Sequence, residues 1–232
     1  MKELWQRIED WLSKHYPAMV ADLNPGCSLN EVLTLEGEIG VELPESFKAF
    51  YAIHNGQRAK DYIGLFYNIS LLPLADIPTQ WNVWSDIMED YGPEGMEENF
   101  DQCQTSLMPD KVKAMYANRK WIPFAVIWDS NYLGLDFDPG PEGRLGQVIN
   151  FGREEEQKAV LANSFEEFIE DFIEELESGG AVIREDGDQF VFVPKRFEWR
   201  FKGEGTRLGG YVACRFIEEP TVEEQEALGI LL

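Results

Sequence analysis

Residues 121–152 read WIPFAVIWDSNYLGLDFDPGPEGRLGQVINFG, and this stretch decides the fold. It holds three runs rich in β-branched and aromatic residues, which are typical of strands. Ser130-Asn131 separates the first two runs, and the turn sequence PGPEGRLG separates the second from the third. Because turns of this composition connect neighbouring antiparallel strands, the stretch predicts a three-stranded meander.

On the C-terminal side of the meander, the sequence predicts one more short strand, near 158–161, and an amphipathic helix. The helix begins after Ser164, which forms the capping-box pattern S-x-x-E with Glu167. Apolar residues then recur at helical spacing, namely Phe165, Phe168, Ile169, Phe172, Ile173 and Leu176. We expect this apolar stripe to pack on the sheet.

On the N-terminal side, the first third of the chain predicts three helices. The first lies in the opening segment MKELWQRIEDWLSKHY, which is amphipathic. The second follows a capping box formed by Ser28 and Glu31. The third begins at Pro44 and ends at Asn55-Gly56, because these residues suit a left-handed helix end.

The segment between these helices and the meander mixes several patterns. An extended part is expected at Ile63 to Ile69, and a helix from Asp76 to about Tyr91. The Gly- and Pro-bearing sequence that follows predicts an acidic insert at about 92–119, in the form of a surface loop with a short helix near 111–118.

The sequence Ser-Gly-Gly at 178–180 predicts a linker. Beyond it we expect a small β-rich extension at 181–232, with a hairpin around 186–187, a strand at 211–217 and a helix at 221–232. Residues 181–216 carry seven bases and five acids, whereas the rest of the chain carries thirteen bases and thirty-eight acids. This contrast predicts that the extension packs on its acidic neighbour or forms a small subdomain.

The net charge of −23 is distributed unevenly. From Asp61 to Asp110 the chain has ten acids and no Lys or Arg. A surface of this sign repels the phosphates of nucleic acids and of anionic lipids, which bind proteins through Lys and Arg. We therefore expect no direct binding of nucleic acid or membrane. Two interpretations of the acids remain, a docking surface for a basic protein and solubility alone.

The sequence offers few parts for a catalytic site. His15 near the end of the first helix and His54 beside the Asn-Gly pair are its two histidines, and both positions favour solvated or cap-interacting roles. Nucleophile-elbow, zinc-protease and Walker motifs are missing from the sequence. Asp136 and Asp138 are the best carboxylate pair, with calcium binding as an alternative, but Asp138 is expected to organise the following turn and Asp136 to face solvent. We predict no enzyme activity, cofactor or metal.

Cys27, Cys103 and Cys214 are widely separated and match no metal-ligand spacing, which favours reduced thiols. No apolar run approaches the roughly 20 residues that a membrane-spanning helix needs. The N-terminal segment lacks the apolar core of a signal peptide. We expect a cytoplasmic protein.

Several short motifs follow one another in a defined order between residues 25 and 177. They are Leu43-Pro44, Asn55-Gly56, Trp121-Ile122-Pro123, Gly134, Asp136, the turn DPGPEG and Ser164-Phe165. In this order and spacing they resemble the SUKH superfamily, which includes the Smi/Knr-like yeast cell-wall assembly regulators and many bacterial toxin-immunity proteins. The resemblance implies an α+β domain, here at 1–178, with a curved, mostly antiparallel sheet flanked by helices. The insert at 92–119 and everything after Gly179 depart from that pattern.

The resemblance also implies a protein-binding module without catalysis. Its bacterial members imply an immunity protein that binds and neutralises a toxin, such as a basic nuclease, and this is the main prediction. The fungal members imply the alternative, an intracellular scaffold or regulator. A third possibility is a small ligand or sugar in the concave sheet, stacked on Trp121, Trp128 and Tyr132.

Aromatic residues are typical anchors of a protein interface, and acids beside them favour a basic partner. We therefore place the partner-binding patch on the predicted helix after Asp76, at Trp81, Trp84, Asp86, Glu89, Asp90 and Tyr91. Trp81 and Trp84 also have helical spacing, so the alternative is that both belong to the core.

Overall fold

The structure, a computed structural model, describes residues 1–58, 63–127, 130–186 and 189–195, together with Phe216. The helices are α1 (Lys2–His15), α2 (Pro17–Asp22), α3 (Leu29–Ile39), α4 (Glu45–Tyr51), α5 (Ile77–Asn99) and α6 (Phe165–Glu177). The strands are β1 (Ser70–Leu71), β2 (Thr105–Ser106), β3 (Trp121–Ile127), β4 (Asn131–Asp136), β5 (Gln147–Gly152), β6 (Gln157–Lys158), β7 (Val160–Ala162), β8 (Ala181–Asp186) and β9 (Gln189–Pro194).

The predicted meander forms the centre of an open five-stranded sheet with the strand order β1-β3-β4-β5-β7. Every neighbouring pair in this sheet is antiparallel. The prediction of an α+β fold with a mostly antiparallel sheet is therefore confirmed. In the part of the chain that the structure describes, two small sheets accompany it, the parallel pair β2-β6 and the C-terminal hairpin β8-β9.

Helices cover both faces of the five-stranded sheet. On one face, the Phe165 ring of α6 packs edge-on against Phe47 of α4 and Phe124 of β3, at centroid distances of 5.0 and 5.3 Å. The whole predicted apolar stripe of α6 is buried. On the other face, Trp84 of α5 lies edge-on to Tyr132 at 5.9 Å. The sheet is thus the middle layer of the core.

Capping interactions define the start of two helices. Ser28 and Glu31 form the predicted reciprocal capping box at α3. At α6, the Ser164 hydroxyl accepts a hydrogen bond from the Glu167 backbone N–H at 3.1 Å, as predicted. The Glu167 carboxylate instead accepts from the Asn163 side-chain amide at 2.9 Å, so the second half of that capping box is replaced.

The Asn55-Gly56 pair does not end a helix, because α4 already ends at Tyr51. Gly56 has the predicted left-handed conformation, with φ +74°, but it uses this conformation to bring two distant segments together. A Cβ atom at Gly56 would lie 2.3 Å from the Pro73 nitrogen. The Asn55 Oδ1 atom accepts a hydrogen bond from the Leu74 N–H at 2.8 Å. The pair is therefore a junction between the α4 region and the start of the sheet.

Three predictions for the middle of the chain are wrong in part. The segment 63–69 forms turns, and the strand is limited to Ser70–Leu71. The predicted helix from Asp76 to about Tyr91 is present, because Gly92 interrupts the helix with φ +63°. A second helical part, which Pro93 suits as a first-turn residue, then runs to Asn99 where a surface loop was predicted. Residues 111–118 form no helix.

The acidic insert is tied to the domain rather than being a free loop. Its strand β2 pairs in parallel with β6, with Ser106 opposite Lys158. Further along the insert, the backbone of Asp110 and Lys111 bonds to Glu142 and Gly140 of the turn between β4 and β5. These contacts were not predictable from the local composition, which is typical of loops.

The predicted hairpin around residues 186–187 is confirmed as β8-β9, with Asp186 opposite Gln189. Its Phe192 side chain is buried against the domain, 5.1 Å from the Tyr67 ring. The predicted strand at 211–217, apart from Phe216, and the predicted helix at 221–232 lie outside the described residues.

Candidate functional site

Helix α5 carries the predicted partner-binding patch. Asp86, Glu89 and Asp90 are exposed on it, and Tyr91 is 51% exposed while its ring edge contacts Phe100 at 4.8 Å. Val83, one turn before Asp86, is also 51% exposed. These five residues form a strip of acids with two apolar side chains among them, which we call the outer face of α5.

The two tryptophans of the predicted patch lie elsewhere. Trp84 is 5% exposed and belongs to the core, where it contacts Tyr116, Tyr132 and Phe151. Its assignment to the partner surface was wrong, because the Trp84 ring fills the space between α5 and the sheet. Trp81 is partly buried, and its indole N–H donates to the Arg119 carbonyl at 2.9 Å. Trp84 therefore fixes the helix on the sheet, and Trp81 fixes it on the segment that precedes β3.

The acids of the outer face are poorly compensated. Arg119 pairs with Glu89 at 3.2 Å and also donates to the Ser85 carbonyl at 3.3 Å. Within the described residues, Asp86 and Asp90 have no ion pair. Exposed like charges without partners leave a negative field in front of the helix.

A buried polar network lies at the end of the sheet. Asp136 is fully buried, and its Oδ1 atom accepts from the Trp121 indole N–H at 3.1 Å and from the Asp138 N–H at 2.8 Å. Its Oδ2 atom accepts from the Gln147 amide at 2.9 Å. Gln147 also donates to the Lys111 carbonyl at 2.8 Å. Asp136 thus links β3, β5, the acidic insert and the turn after β4, and the prediction that it faces solvent was wrong.

The chemical state of this network follows from burial. Burial raises the pKa of Asp136 to about 6, although the three hydrogen bonds act in the opposite direction. Partial burial would raise the pKa of Asp138, but the Lys113 ammonium, 2.6 Å from Oδ1, and the Asn118 amide lower it overall. The two carboxylates therefore differ in environment. Protein donors bond to both carboxylate oxygens of Asp136. The carboxylates of Asp136 and Asp138 therefore hold the surrounding loops in place.

Lys158 belongs to a second buried network on the same side of the sheet. Its Nζ donates to Gln104 at 2.6 Å and to the Glu155 carbonyl, and it lies 6.0 Å from the centroid of the Trp121 ring. Burial lowers the pKa of Lys158 to about 8, while the charges of Glu155, Glu156 and Asp101 act against this shift. Lys158 therefore connects the insert, through Gln104, to the edge of the sheet. The burial of Lys158 was not predicted, because the charged and polar residues 153–157 precede it and apolar residues follow only from Ala159 onward.

Neither histidine lies in an arrangement suited to catalysis. His54 bonds through Nδ1 to the Asn24 carbonyl at 2.9 Å and through Nε2 to Glu9 at 2.8 Å, so it ties α1 to the loop after α4. His15 is exposed and stacks on Trp11 at 4.3 Å. Among the described residues, no group of three or more His, Cys, Asp or Glu side chains could hold a metal ion.

The proposed sugar platform is contradicted for two of its three residues. Trp121 and Tyr132 are each 1% exposed, and the Tyr132 hydroxyl donates to Gln80 of α5 at 2.8 Å. Helix α5 therefore covers the face of the sheet that a ligand would need. Trp128 lies outside the described residues.

The motif residues shared with the SUKH pattern have structural roles. Leu43 is buried, and its N–H donates to Glu36 at 2.7 Å, while Pro44 caps α4. Gly134 has no room for a side chain, because a Cβ atom would lie 2.4 Å from the Phe151 ring. Pro123 is buried in β3, beside the irregularity in the pairing of β3 with β4.

Residues 26–171 match the family described as the SMI1 / KNR4 family (SUKH-1). The chain belongs to this family. The resemblance found in the motifs of the sequence is thereby confirmed, and the matched residues include α3 to α5, the five-stranded sheet and the first half of α6.

Fungal relatives extend the comparison beyond the family domain. A cell wall biosynthesis/cell cycle regulator of Schizosaccharomyces pombe is 30% identical, with the match covering 87% of this chain and 41% of that protein. A cell wall assembly regulator of Saccharomyces cerevisiae is 28% identical, over 80% of this chain and 42% of that protein. A glucan synthesis regulatory protein of Neurospora crassa is 27% identical, over 80% and 40%.

The chain spans about two fifths of the length of these relatives. The three relatives are named as regulators, which favours the regulator alternative over toxin immunity. Across the described part of the chain, no helix is both long enough and apolar enough to cross a membrane.

Proposed function

We propose that the chain is a non-catalytic, protein-binding module of a regulator of cell-wall assembly, and that the outer face of α5 binds a basic partner segment. The observation that carries the proposal is the membership of a family whose fungal members are named as cell-wall regulators. A regulator without catalytic machinery acts by binding other proteins.

The outer face of α5 is the surface that best fits such a partner. It combines the uncompensated acids Asp86 and Asp90 with the exposed side chains of Val83 and Tyr91. Acids accelerate the encounter with a basic surface, and aromatic side chains contribute much of the affinity at interfaces. The sequence around the helix lacks Lys and Arg, so Asp86 and Asp90 have no ion pair within the described residues, whereas Glu89 is paired with Arg119.

A paired charge reversal tests the proposal. The variant Asp86→Lys/Asp90→Lys changes the outer face of α5, and the control Glu170→Lys/Glu174→Lys makes the same charge change on the exposed side of α6. Partners captured by the wild-type chain are identified, purified and titrated against all three proteins at low and high salt. We expect the α5 variant to weaken binding by about tenfold or more and the α6 variant to have a much smaller effect.

Equal losses in the two variants would show that net charge, rather than this surface, attracts the partner. If both variants bound the partner as tightly as the wild-type chain does, Asp86 and Asp90 would not belong to the interface. Neutralisation of a basic toxin is the alternative function, since an acidic surface also fits such a partner. One tight partner with toxin activity that the chain inhibits would support immunity, whereas several weaker partners would support a regulator.

A further inference from the structure

Helix α1 lies outside the family match, and one aromatic side chain seats it on the matched domain. The match covers residues 26–171, whereas α1 ends at His15. Trp5 of α1 is buried, and its indole N–H donates to the Phe50 carbonyl at 3.0 Å. The Trp5 ring also stacks on the Phe50 ring at 4.3 Å. Since Phe50 belongs to α4, Trp5 fixes α1 on the C-terminal end of that helix.

His54 makes a polar contact with α1 at the same place. Its ring lies edge-on to the Trp5 ring at 4.6 Å. Its Nδ1 atom is 2.9 Å from the Asn24 carbonyl oxygen, in the loop after α2, and its Nε2 atom is 2.8 Å from Oε1 of Glu9 in α1. The His54 side chain is 17% exposed and that of Glu9 is 29% exposed. The imidazole is therefore a largely shielded bridge between α1 and the domain.

Both ring nitrogens of His54 face hydrogen-bond acceptors. A carbonyl oxygen and an ionised carboxylate accept hydrogen bonds and donate none. A neutral imidazole has a single N–H, so it can donate to one of these oxygens while its other nitrogen turns a lone pair toward the second. The imidazolium has two N–H groups and donates to both, and its bond to Glu9 is charge-assisted. The arrangement therefore fits the imidazolium better than either neutral tautomer.

Glu9 is the charged group that contacts His54. It lies one turn from Trp5 and so on the same side of α1. Burial favours the neutral imidazole, whereas a carboxylate at this distance favours the imidazolium. Ionisable groups on the neighbouring elements have other contacts, namely Arg7 with Glu177 at 2.6 Å, Asp22 with the Gln57 amide at 3.1 Å and the Tyr51 hydroxyl with the Leu72 carbonyl at 2.9 Å, while Arg58 is exposed.

We infer that His54 and Glu9 form a pH-sensitive latch that holds α1 on the domain while the imidazole carries two protons. A neutral imidazole gives up one of the two bonds, so the docking of α1 weakens. Histidine side chains change charge between about pH 5 and pH 8. Because the docked state binds the additional proton, the contribution of the latch is present at the acid end of this range and is lost as pH rises. The latch is separate from the outer face of α5, and the inference stands without the proposed function.

Nitrogen-15 NMR of the full chain tests the proton state of the latch. The chain has two histidines, so the variant His15→Gln assigns the two sets of ring signals. His15 is exposed and serves as the internal reference. We expect both nitrogens of His54 to carry protons at a pH at which His15 is already mostly neutral. Loss of the second proton from His54 together with His15, or before it, would overturn the inference.

Hydrogen exchange tests the consequence for α1. Protection factors, which correct for the intrinsic pH dependence of exchange, are measured for the amides of α1 and β4 between pH 6 and pH 8. We expect the protection of α1 to fall by about fivefold or more as pH rises, and the protection of β4 to change much less. Constant protection of α1 would overturn the latch. An equal fall in β4 would also overturn it, because the pH effect would then belong to unfolding of the whole domain.

The variant Glu9→Gln separates the latch from a merely structural contact. An amide can donate or accept, so neutral His54 keeps both of its bonds in this variant. We expect α1 to stay docked and to lose most of the pH dependence of its protection. The matched control is Asp10→Asn, which removes the same charge from the next residue, where the carboxylate accepts from Gln6 of the same helix. This control should retain the pH dependence.

Two results with these variants would contradict the latch. If Glu9→Gln kept the full pH dependence of α1, the carboxylate would not be the partner that makes the contact sensitive to pH. If Asp10→Asn lost the pH dependence as completely as Glu9→Gln, the total charge of α1 would be responsible and the pair of His54 and Glu9 would not be a latch.

Discussion

Acidic side chains in two regions of the molecule behave in opposite ways. On the outer face of α5, Asp86 and Asp90 are exposed and have no ion pair among the described residues. At the end of the sheet, Asp136 is fully buried and bonded by three donors. The buried acid holds the domain together, whereas the exposed acids are free to meet another protein. This difference gives the buried region a structural role, and it supports the proposal that the exposed region takes part in recognition.

The buried region should respond most strongly to mutation. Asp136→Ala leaves the Trp121 indole N–H, the Asp138 N–H and one Gln147 donor without their acceptor in the core. We expect the free energy of unfolding to fall by about 3 kcal/mol or more, since each buried unsatisfied donor costs about 1–3 kcal/mol. Urea unfolding followed by tryptophan fluorescence measures the change. A loss below about 1 kcal/mol would contradict the structural role of Asp136.

Protonation of Asp136 should make stability depend on pH. Its pKa is about 6 in the folded chain and 3.8 in the unfolded reference, so the folded state holds the proton more tightly. This contribution to stability is fully present below about pH 4 and is lost as pH rises through about 6, by up to about 3 kcal/mol. Urea unfolding from pH 4 to pH 7 should show the loss in the wild-type chain.

The control for this pH dependence is Asp136→Asn, which cannot titrate. The difference in stability between the variant and the wild-type chain should change over the same pH range, because other carboxylates contribute equally to both proteins. A constant difference between pH 4 and pH 7 would show that the pKa of Asp136 is not raised.

Two glycines sharpen the same contrast between buried and exposed positions. Gly134→Ala would place a methyl group 2.4 Å from the Phe151 ring, and overpacking of this kind costs about 1–3 kcal/mol. Gly37→Ala, on the exposed side of α3, meets nothing within 4 Å and should stabilise the chain by about 0.5–1 kcal/mol. Thermal or urea unfolding of both variants measures the two changes in stability, which should have opposite signs. Destabilisation by both would mean that the space around Gly37 is filled.

The sequence predicted what local patterns determine. The meander, the apolar stripe of α6 and the capping box at Ser28 depend on residues close in sequence, and all three are present. The burial of Asp136 depends on Gln147 and on the insert, which are distant in sequence. The prediction from the local turn sequence, that Asp136 faces solvent, was therefore wrong. Helical spacing alone could not separate the buried Trp84 from the exposed acids beside it.

The exposed region should tolerate change in the isolated chain. Asp86→Lys/Asp90→Lys removes no hydrogen bond or ion pair among the described residues, so we expect the free energy of unfolding to change by about 0.5 kcal/mol or less. At low salt the variant should be slightly more stable than the wild-type chain, because two acids of a strongly acidic surface have been replaced by bases. Urea unfolding at low and high salt measures both effects. A loss above about 1 kcal/mol would place these acids among the structural ones and would remove the contrast with Asp136, since recognition could then no longer be separated from folding on this helix.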